Sequence, residues 1–448
     1  MQTQERVTAS RVAKAIAANQ NYLLSLQYPE GYWWAELESN VTMTAEAVLL
    51  HKIWGTDQKR PMHKAETYLR QEQREHGGWE LFYGDGGNLS TSVEAYMALK
   101  LLGVPETDPA MKRTWYFIIP RGGINKTRIF TKFHLALIGC YDWRGIPSLP
   151  PWVMLLPESF PFTIYELSSW ARSSTVPLLN DVKLPNEKLK QAAIARTVNW
   201  IASMQCKPGG WAAFDLDNDQ NWLNYLPYAD LKAMIDPNTA DVTARVLEML
   251  GCCSQGGFSQ NIEEMTKMID KPAPTMDAHR VEKAIAYLIR EQEPEGCWFG
   301  RWGVNYIYGT SSALSALSLI APQTHRQSIE RGAAWLVECQ NPDGGWGETC
   351  RSYDDRSLKG QGKSTASQTA WALIGLMAAG KATGNWANVA IERGIGYLLD
   401  TQLTDGSWNE AHFTGTGFPG HFYLKYHFYQ QYFPLLALGR YQQKVISH

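Results

Sequence analysis

Three groups of residues have the types and spacing that chemistry requires. Asp215-Leu216-Asp217-Asn218-Asp219 sets three carboxylates within five positions. One of them could serve as an acid, but Asp and Asn also build solvated turns, and a turn is the preferred reading. Asp241 and Arg245 stand one helical turn apart, a spacing that an ordinary i,i+4 ion pair also produces. Phe418, Phe422, Tyr426 and Tyr429 recur at intervals of 4, 4 and 3, so one face of a helix would present all four rings. Such a stripe is ordinarily core. The seven cysteines (Cys140, Cys206, Cys252, Cys253, Cys297, Cys339, Cys350) include no C-x-x-C pair. Neither a zinc ribbon nor a disulfide framework is indicated, and a reducing compartment is the simplest setting.

The chain of 448 residues is 44% hydrophobic and 19% charged, with 42 Lys and Arg against 44 Asp and Glu and a net charge of -2. This excludes a disordered tail and a polycationic nucleic-acid binder, and it allows two or three domains. The first twenty residues contain no apolar run of signal-peptide length, and no uncharged apolar stretch of spanning length follows. The chain is not expected to cross a membrane, although it could lie on one. The unusual count is tryptophan: 18 Trp exceed 14 Phe and are accompanied by 37 Gly.

A repeat accounts for part of that excess. Gln-x-x-x-Gly-x-Trp occurs at Gln27/Gly31/Trp33, Gln73/Gly77/Trp79, Gln205/Gly209/Trp211, Gln292/Gly296/Trp298, Gln340/Gly344/Trp346 and Gln402/Gly406/Trp408. Apolar positions before each Gln fall at helical spacing, and each Gly lies where a helix would stop in a left-handed conformation. The Gln amide is placed to bond free backbone groups at a neighbouring helix end, and the Trp to cover the junction. A second apolar helix follows each Trp, as in Val41 to Leu50, Leu89 to Leu102, Asp241 to Leu250 and Ser364 to Met377. Repeated helix pairs stack into a solenoid or close into an α/α toroid, so the repeat residues read as structural staples. Successive Gln residues are 46, 132, 87, 48 and 62 positions apart. A degenerate copy, Lys112 to Gly123, and a Pro-rich stretch from Ile146 to Pro185 fill the long interval.

Together with GYWWAELESNVTMTAEAVLL, GRWGVNYIYGTSSALSAL, NPDGGWGETCRSYDD and TGTGFPGHFYLKYHFYQQYFPLLALGRY, these repeats resemble the squalene-hopene cyclases, class II triterpene cyclases. The resemblance runs over nearly the whole chain. It implies two α/α barrels around a large apolar cavity and peripheral, monotopic attachment to the cytoplasmic face of a membrane. It implies squalene or a similar linear polyprenoid as substrate, no cofactor and no metal, and it leaves a homodimer open. In that chemistry an Asp carboxylic acid protonates a terminal double bond, and hydrogen bonds and a nearby cation make the acid strong enough. The resulting cation passes through successive ring closures beside aromatic faces, each worth roughly 0.5–2 kcal/mol. Loss of a proton or capture of water ends the cascade, giving hopene or hopanol.

Carried over by position, the resemblance makes Trp170, Phe214, Tyr228, Leu231, Trp302, Tyr308, Phe418, Phe422, Tyr426 and Tyr429 cavity residues, Leu231 standing where an aromatic is usual. It makes Asp241 and Arg245 the pair that supports the catalytic acid, and Glu46, Glu94 and Arg128, with Trp170, the end of the cavity where water quenches the cation. His134 stands at an aromatic position and is given no role. The family's Asp-x-Asp-Asp-Thr motif is absent from the sequence. The match to the N-terminal part runs to about Ser173 and resumes from about Glu187, which implies a loss of roughly two hundred residues, or about four helix-pair units. Residues 1–186 are therefore expected to be a remnant of an N-terminal α/α barrel, and residues 187–448 a C-terminal barrel lacking its first helices. Three functions compete: a squalene-hopene cyclase, an inactive internal-deletion form or helical scaffold, and a zinc-dependent toroid such as a protein prenyltransferase β-subunit. The scattered cysteines and the lack of a clear ligand cluster disfavour the third, and the missing acid favours the second for turnover.

Overall fold

A computed structural model describes residues 7–147, 198–225, 234–255 and 278–446. The first part contains α1 (Ala9–Ser25), α2 (Thr42–Ile53), α3 (Met62–Gln71), α4 (Leu89–Leu101), α5 (Pro109–Ile118) and α6 (Ile129–Leu137). The second contains α7 (Ala240–Gln255), α8 (Ala278–Arg290), α9 (Tyr306–Ile320), α10 (Arg326–Glu338), α11 (Ala366–Thr383), α12 (Asn388–Thr401) and α13 (Tyr429–Ile446), with a further helical end at residues 198–203. The fold is all-α, an α/α toroid of repeated helix pairs.

Side-chain chemistry sorts these helices into two layers. Nearly every residue of α9 and α11 is buried, including Ser311, Ser312, Ser367 and Thr369. Helices buried all round are interior helices. Their small residues permit close approach: a Cβ on Gly375 would lie 2.9 Å from the Ser311 Cα, and Ser311 Oγ donates to the Trp371 carbonyl at 2.5 Å. By contrast α8, α10 and α12 carry Lys, Arg and Glu outward and bury a narrow stripe, as in Ala284, Tyr287 and Leu288 of α8. The inner row runs α7, α9, α11, α13, each helix packing on the next, and α1 packs on α13.

The Gln-Gly-Trp repeats join the layers with one set of bonds. In all six, the Gln amide donates to the carbonyl of its own Gly at 2.8–3.0 Å. The indole N–H donates to the carbonyl ten residues earlier, supplying a partner to a helix-end carbonyl that the helix itself cannot satisfy. In five of the six the Gln also reaches an adjoining outer helix: four bond the first turn of the next one, at the carbonyls of Ala110, Arg280, Ser328 and Ala390, and Gln402 bonds Ala15 in the second turn of α1. In those five, a Cβ on the Gly would lie within 2.4–2.7 Å of the carbonyl oxygen three residues further along that helix: Arg113, Lys283, Arg331, Arg393 and Ala18. Only glycine permits this approach, and all six glycines have φ between 88° and 108°. Hydroxyls of the following inner helix receive the Trp backbone N–H, as Ser92, Thr243, Thr310 and Thr369 do for Trp79, Trp211, Trp298 and Trp346.

Two apolar cores result. One gathers Leu49, Leu69, Trp79, Leu99 and Met111 of α2–α5. The other gathers Trp211, Trp298, Trp346, Trp371 and Trp408 with Val12 and Ala15 of α1. Helix α1 thus shares the core of residues 201–441, across the chain division at 186/187. Leu81, Phe82, Val304, Phe413 and Tyr423 form a bridge between the two cores. Beside it lies a small antiparallel sheet in the order β1 (Leu37–Glu38), β3 (Phe422–Tyr426), β2 (Gly415–Phe418).

That sheet corrects the helical stripe expected for Phe418, Phe422, Tyr426 and Tyr429. Phe418 ends β2, Phe422 and Tyr426 lie on β3, and only Tyr429 opens a helix. Pro419-Gly420, with Gly420 at φ 80°, turns the chain between the strands. The alternating Phe-Tyr-Leu-Lys-Tyr segment then pairs as a strand.

Candidate functional site

The N-terminal ends of the inner helices converge on an aromatic centre. Tyr308 comes from the first turn of α9, Trp371 from α11, Tyr426 from β3, and Tyr429, Tyr432 and Phe433 from the first turns of α13. Tyr308 lies 4.8 Å from Trp371 between ring centroids, and Trp371 lies 5.9 Å from Tyr429 and 5.3 Å from Phe433, all three edge-on. Tyr426 stacks on Tyr429 at 4.3 Å and 12°. Burial pushes the Tyr426 and Tyr429 hydroxyls above the usual phenol range, so both rings are neutral faces. Beside them, Phe214 and Trp302 meet edge to face at 5.6 Å. Phe418 packs on Phe422 at 6.4 Å. The indole N–H groups of Trp302 and Trp371 are buried without a partner. Trp371, Tyr432 and Phe433 were not among the residues assigned by position. Tyr432 and Phe433 sit in the Phe-Tyr-Gln-Gln-Tyr-Phe run and Trp371 in the apolar helix Ala366–Thr383, and both segments read as generic core. Trp170, Tyr228 and Leu231 lie outside the described residues.

Asp241 and Arg245 occupy the same face of α7 but do not pair. Asp241 is buried; its Oδ1 accepts from Thr239 Oγ1 at 2.5 Å and from the Val242 N–H at 2.9 Å. Its Oδ2 accepts from the backbone N–H of Trp302 at 2.8 Å. Arg245 turns instead to Glu248, with Nη1 to Oε2 at 2.7 Å, and its guanidinium lies 5.5 Å from the Tyr308 ring centroid. The cation therefore faces the aromatic centre, and the carboxylate anchors the Trp302 loop.

Among the other acids, Asp217 has a left-handed φ of 55° in a loop. It accepts from the Lys207 N–H at 2.6 Å, with the Lys207 ammonium at 3.6 Å. Asp236 is buried and accepts from the backbone N–H of Phe214 and Asp215 at 2.5 and 2.9 Å. Burial pushes its carboxyl up, against those hydrogen bonds and the charge of Arg301. Glu348 receives the N–H groups of Asn305 and Ile307 at the start of α9, and Glu410 receives Ser367 at the start of α11. These two carboxylates, each two residues after a repeat Trp, hold inner-helix N-termini.

A second polar cluster lies between α2, α4 and α6. Glu94 is buried, accepts from Thr131 Oγ1, and has Arg128 Nη2 at 3.2 Å from each oxygen. Glu46 lies 3.4 Å from His134 Nδ1. Burial, with the charge of Glu94 adding to it, pushes Glu46 up to about 7, partly offset by Arg128. Burial pushes His134 down, so its imidazole is neutral. The cluster brings together Glu46, Glu94 and Arg128 and adds His134, which the sequence left without a role; nothing in one sequence shows that α2 and α6 face each other. Glu46, Glu94 and His134 offer three donor atoms within 4.8 Å of one another, but Arg128 already places a positive charge on Glu94. The arrangement suits holding and moving a proton more than holding a metal.

A helical toroid with an aromatic centre facing a guanidinium, and a carboxylate–imidazole cluster on its smaller core, defines a terpene-cyclase type of architecture. Residues 16–182 match the N-terminal domain of squalene-hopene cyclases and residues 172–443 match the C-terminal domain. The chain belongs to the squalene-hopene cyclase family. It is 39% identical to the dammaradiene synthase of Dryopteris crassirhizoma, covering 96% of this chain and 94% of that one. It is 30% identical to the squalene-hopene cyclase of Alicyclobacillus acidocaldarius, covering 99% of both. Among solved structures, the ent-copalyl diphosphate synthase of Streptomyces platensis is similar at 16% identity with a TM-score of 0.49, covering 98% of this chain and all of that one. The two sequence alignments extend over 652 and 649 positions against 448 residues here. The chain is thus shorter than these relatives by an internal gap, and the two domain matches meet at residues 172–182.

Proposed function

We propose that this chain retains the cation-stabilising and cation-quenching ends of a polyprenoid cyclase but lacks the proton donor, so that it does not start the conversion of squalene to hopene or hopanol. The observation that carries this reading is the engagement of Asp241, a buried carboxyl that anchors the Trp302 loop. An acid that protonates an alkene must point its proton at the substrate, and both oxygens of Asp241 are already engaged by Thr239, Val242 and Trp302. No Asp-x-Asp-Asp motif stands elsewhere in the sequence. What remains suits a cation: aromatic faces at Tyr308, Trp371, Tyr426 and Tyr429, and a Glu46–His134 pair able to accept a final proton. The substrate class is a linear polyprenoid such as squalene. Exposed Met43, Leu50 and Ile53 on α2, with Trp54 at its C-terminal cap, support peripheral attachment to a membrane surface. Among the described residues, no helix is long and apolar enough to cross one.

The test is incubation of purified protein with squalene in detergent, read by gas chromatography. No hopene or hopanol is expected, and either product overturns the proposal. One observation favours a second reading, an active enzyme with a displaced acid: burial pushes the Asp236 carboxyl up beside Phe214. If product forms, its loss in Asp236→Asn, with Asp217→Asn unaffected, would identify that acid.

A further inference from the structure

Trp302 stands on a loop, residues 300–305, that leads into α9. Its buried indole N–H has no partner, so no polar atom of the side chain fixes the ring. The place of the ring depends on the backbone beneath it, and that backbone is held at several points. The Gly300 N–H donates to Asn305 Oδ1 at 3.2 Å, the Trp302 N–H to Asp241, and the Val304 N–H to the Thr414 carbonyl at 2.9 Å. The Trp302 carbonyl receives the Thr416 N–H at 3.3 Å.

The carbonyls of Gly300, Arg301 and Gly303 all go to one group. The Tyr353 hydroxyl lies 2.8, 3.2 and 2.9 Å from them, in that order. Among the described residues, none of the three has a second donor. A single O–H serves one carbonyl at a time, so the three oxygens are gathered around one point and the loop takes its curvature from it. Without the hydroxyl, all three would lose their protein donor together.

Tyr353 is itself held on three sides. It ends the short helical turn Cys350–Tyr353, and the buried Ser352 beside it accepts from Asn305 Nδ2 at 3.2 Å, which ties the turn to the start of α9. Phe299 meets the Tyr353 ring edge-on at 5.7 Å, and Tyr423 packs on it at 6.0 Å. Tyr423 in turn meets Phe82 at 4.8 Å, so the bridge between the two cores also braces the hydroxyl. On its other side the loop presses on the aromatic centre: a Cβ on Gly303 would lie 2.5 Å from Cγ of Tyr308. A displaced loop would therefore carry Trp302 with it and disturb Tyr308. We infer that Tyr353 is a positioning residue of the aromatic centre: its hydroxyl gathers the carbonyls of Gly300, Arg301 and Gly303 and so sets the Trp302 face that a bound cation meets. The inference rests on the reading that this centre stabilises a cation. It gives the block NPDGGWGETCRSYDD, which supplies no cavity residue, a part in the site.

Calorimetric titration with two probes tests this: a polyprenyl dimethylamine of squalene length, protonated at neutral pH, and its neutral counterpart with CH in place of NH⁺. Each affinity is corrected for partition of the probe into the detergent, and their ratio then reads the stabilisation of charge alone. The wild type is expected to prefer the amine about tenfold. Tyr353→Phe is expected to lower that ratio about 3- to 5-fold. Tyr353→4-fluorophenylalanine fills the space of the hydroxyl without a donor; it is expected to do the same, and it carries the test if the phenylalanine variant does not melt cooperatively. Tyr353→4-aminophenylalanine donates from the same place and is expected to restore the ratio. Trp302→Leu is expected to lower the ratio by itself, and adding Tyr353→Phe to it to lower it no further. A tyrosine that only stabilises the fold would lower the melting temperature and weaken both probes alike. The inference is overturned by a ratio that the donor-less variants retain, by a 4-amino variant as poor as they are, or by a Tyr353→Phe effect that persists in full in Trp302→Leu. A wild-type ratio near one overturns the cation-stabilising reading itself, and the inference with it, and is told apart because it needs no variant.

Discussion

Gln402 Nε2 donates to the carbonyl of Ala15 at 3.0 Å, joining residues 387 positions apart. The bond seats α1 on the last repeat as α12 is seated on Gln340, so the N-terminal helix completes the C-terminal row. Asn19, fully buried on the same helix, adds a bond from Nδ2 to the Gly406 carbonyl at 2.9 Å.

Asn19→Ala is therefore expected to destabilise the core around Trp408 rather than the core around Trp79. The Gly406 carbonyl keeps its bond from Gln402 but loses the one from Asn19, which should cost about 0.5–1.5 kcal/mol. Calorimetry that resolves the two cores checks this. An unchanged C-terminal transition would mean that α1 is an ornament.

Equivalent glycines should differ in cost according to what fills their seats. Gly344 and Gly31 share a left-handed φ, 90° and 91°, so Gly→Ala at either site pays backbone strain of about 1–2 kcal/mol. At Gly344 the new Cβ would also lie 2.6 Å from the Arg393 carbonyl oxygen and lift α12 from the turn. Gly344→Ala should therefore cost about 3 kcal/mol or more, against about 1–2 for Gly31→Ala. Denaturant titration of both variants at a concentration where the protein is monomeric decides, and equal costs would remove the helix contact as the reason for glycine.

The repeats were legible because one chemistry recurs at fixed offsets: an amide, a left-handed turn and an indole. Their partners were not. Nothing in the order of residues says that α1, first in the chain, belongs beside α12. The helix expected over Phe418 to Tyr429 failed because its period matched while Pro419-Gly420 and the flanking Gly415 and Gly417 spoke for a hairpin. Asp241 and Arg245 were rightly placed on one helix face. Sequence spacing could not show that Thr239 and Trp302 would claim the carboxylate and Glu248 the guanidinium. Glu348 and Glu410 carried a signal, an acid two residues after a repeat Trp, but the helix N-termini they hold lie one unit back.

The cluster around Glu46 predicts a pH dependence of unusual sign. The Glu46 carboxyl is pushed up from 4.5 to about 7, so between these values the folded chain binds a proton that the unfolded chain does not. Stability from this group is full below pH 4.5, falls as pH rises towards 7 and is flat above. The group is partly exposed, and with solvent screening the loss is about 1–2 kcal/mol. His134, pushed down by burial, works in the opposite sense, destabilising the fold as pH falls below 6.5. The difference between wild type and Glu46→Gln isolates the glutamate. Urea melts from pH 4.5 to 8 should show the variant gaining on wild type up to about pH 7; a constant difference would place Glu46 in an ordinary solvated setting.

Asp241→Asn separates anchoring from acid catalysis. The carboxylate takes three donors, and an amide must turn its NH₂ towards at least one of them, either the Trp302 N–H or the Thr239 and Val242 pair. A buried donor facing a donor should cost about 2–3 kcal/mol and loosen the Trp302 loop against Phe214. Two readouts distinguish the roles: the melting temperature, and fluorescence quenching of the tryptophans by a cationic amine analogue of a linear polyprenoid. An anchoring Asp241 predicts a lower melting temperature together with weaker quenching, because the loop that positions Trp302 is released. An Asp241 that served only as a proton donor would leave both unchanged and alter turnover alone.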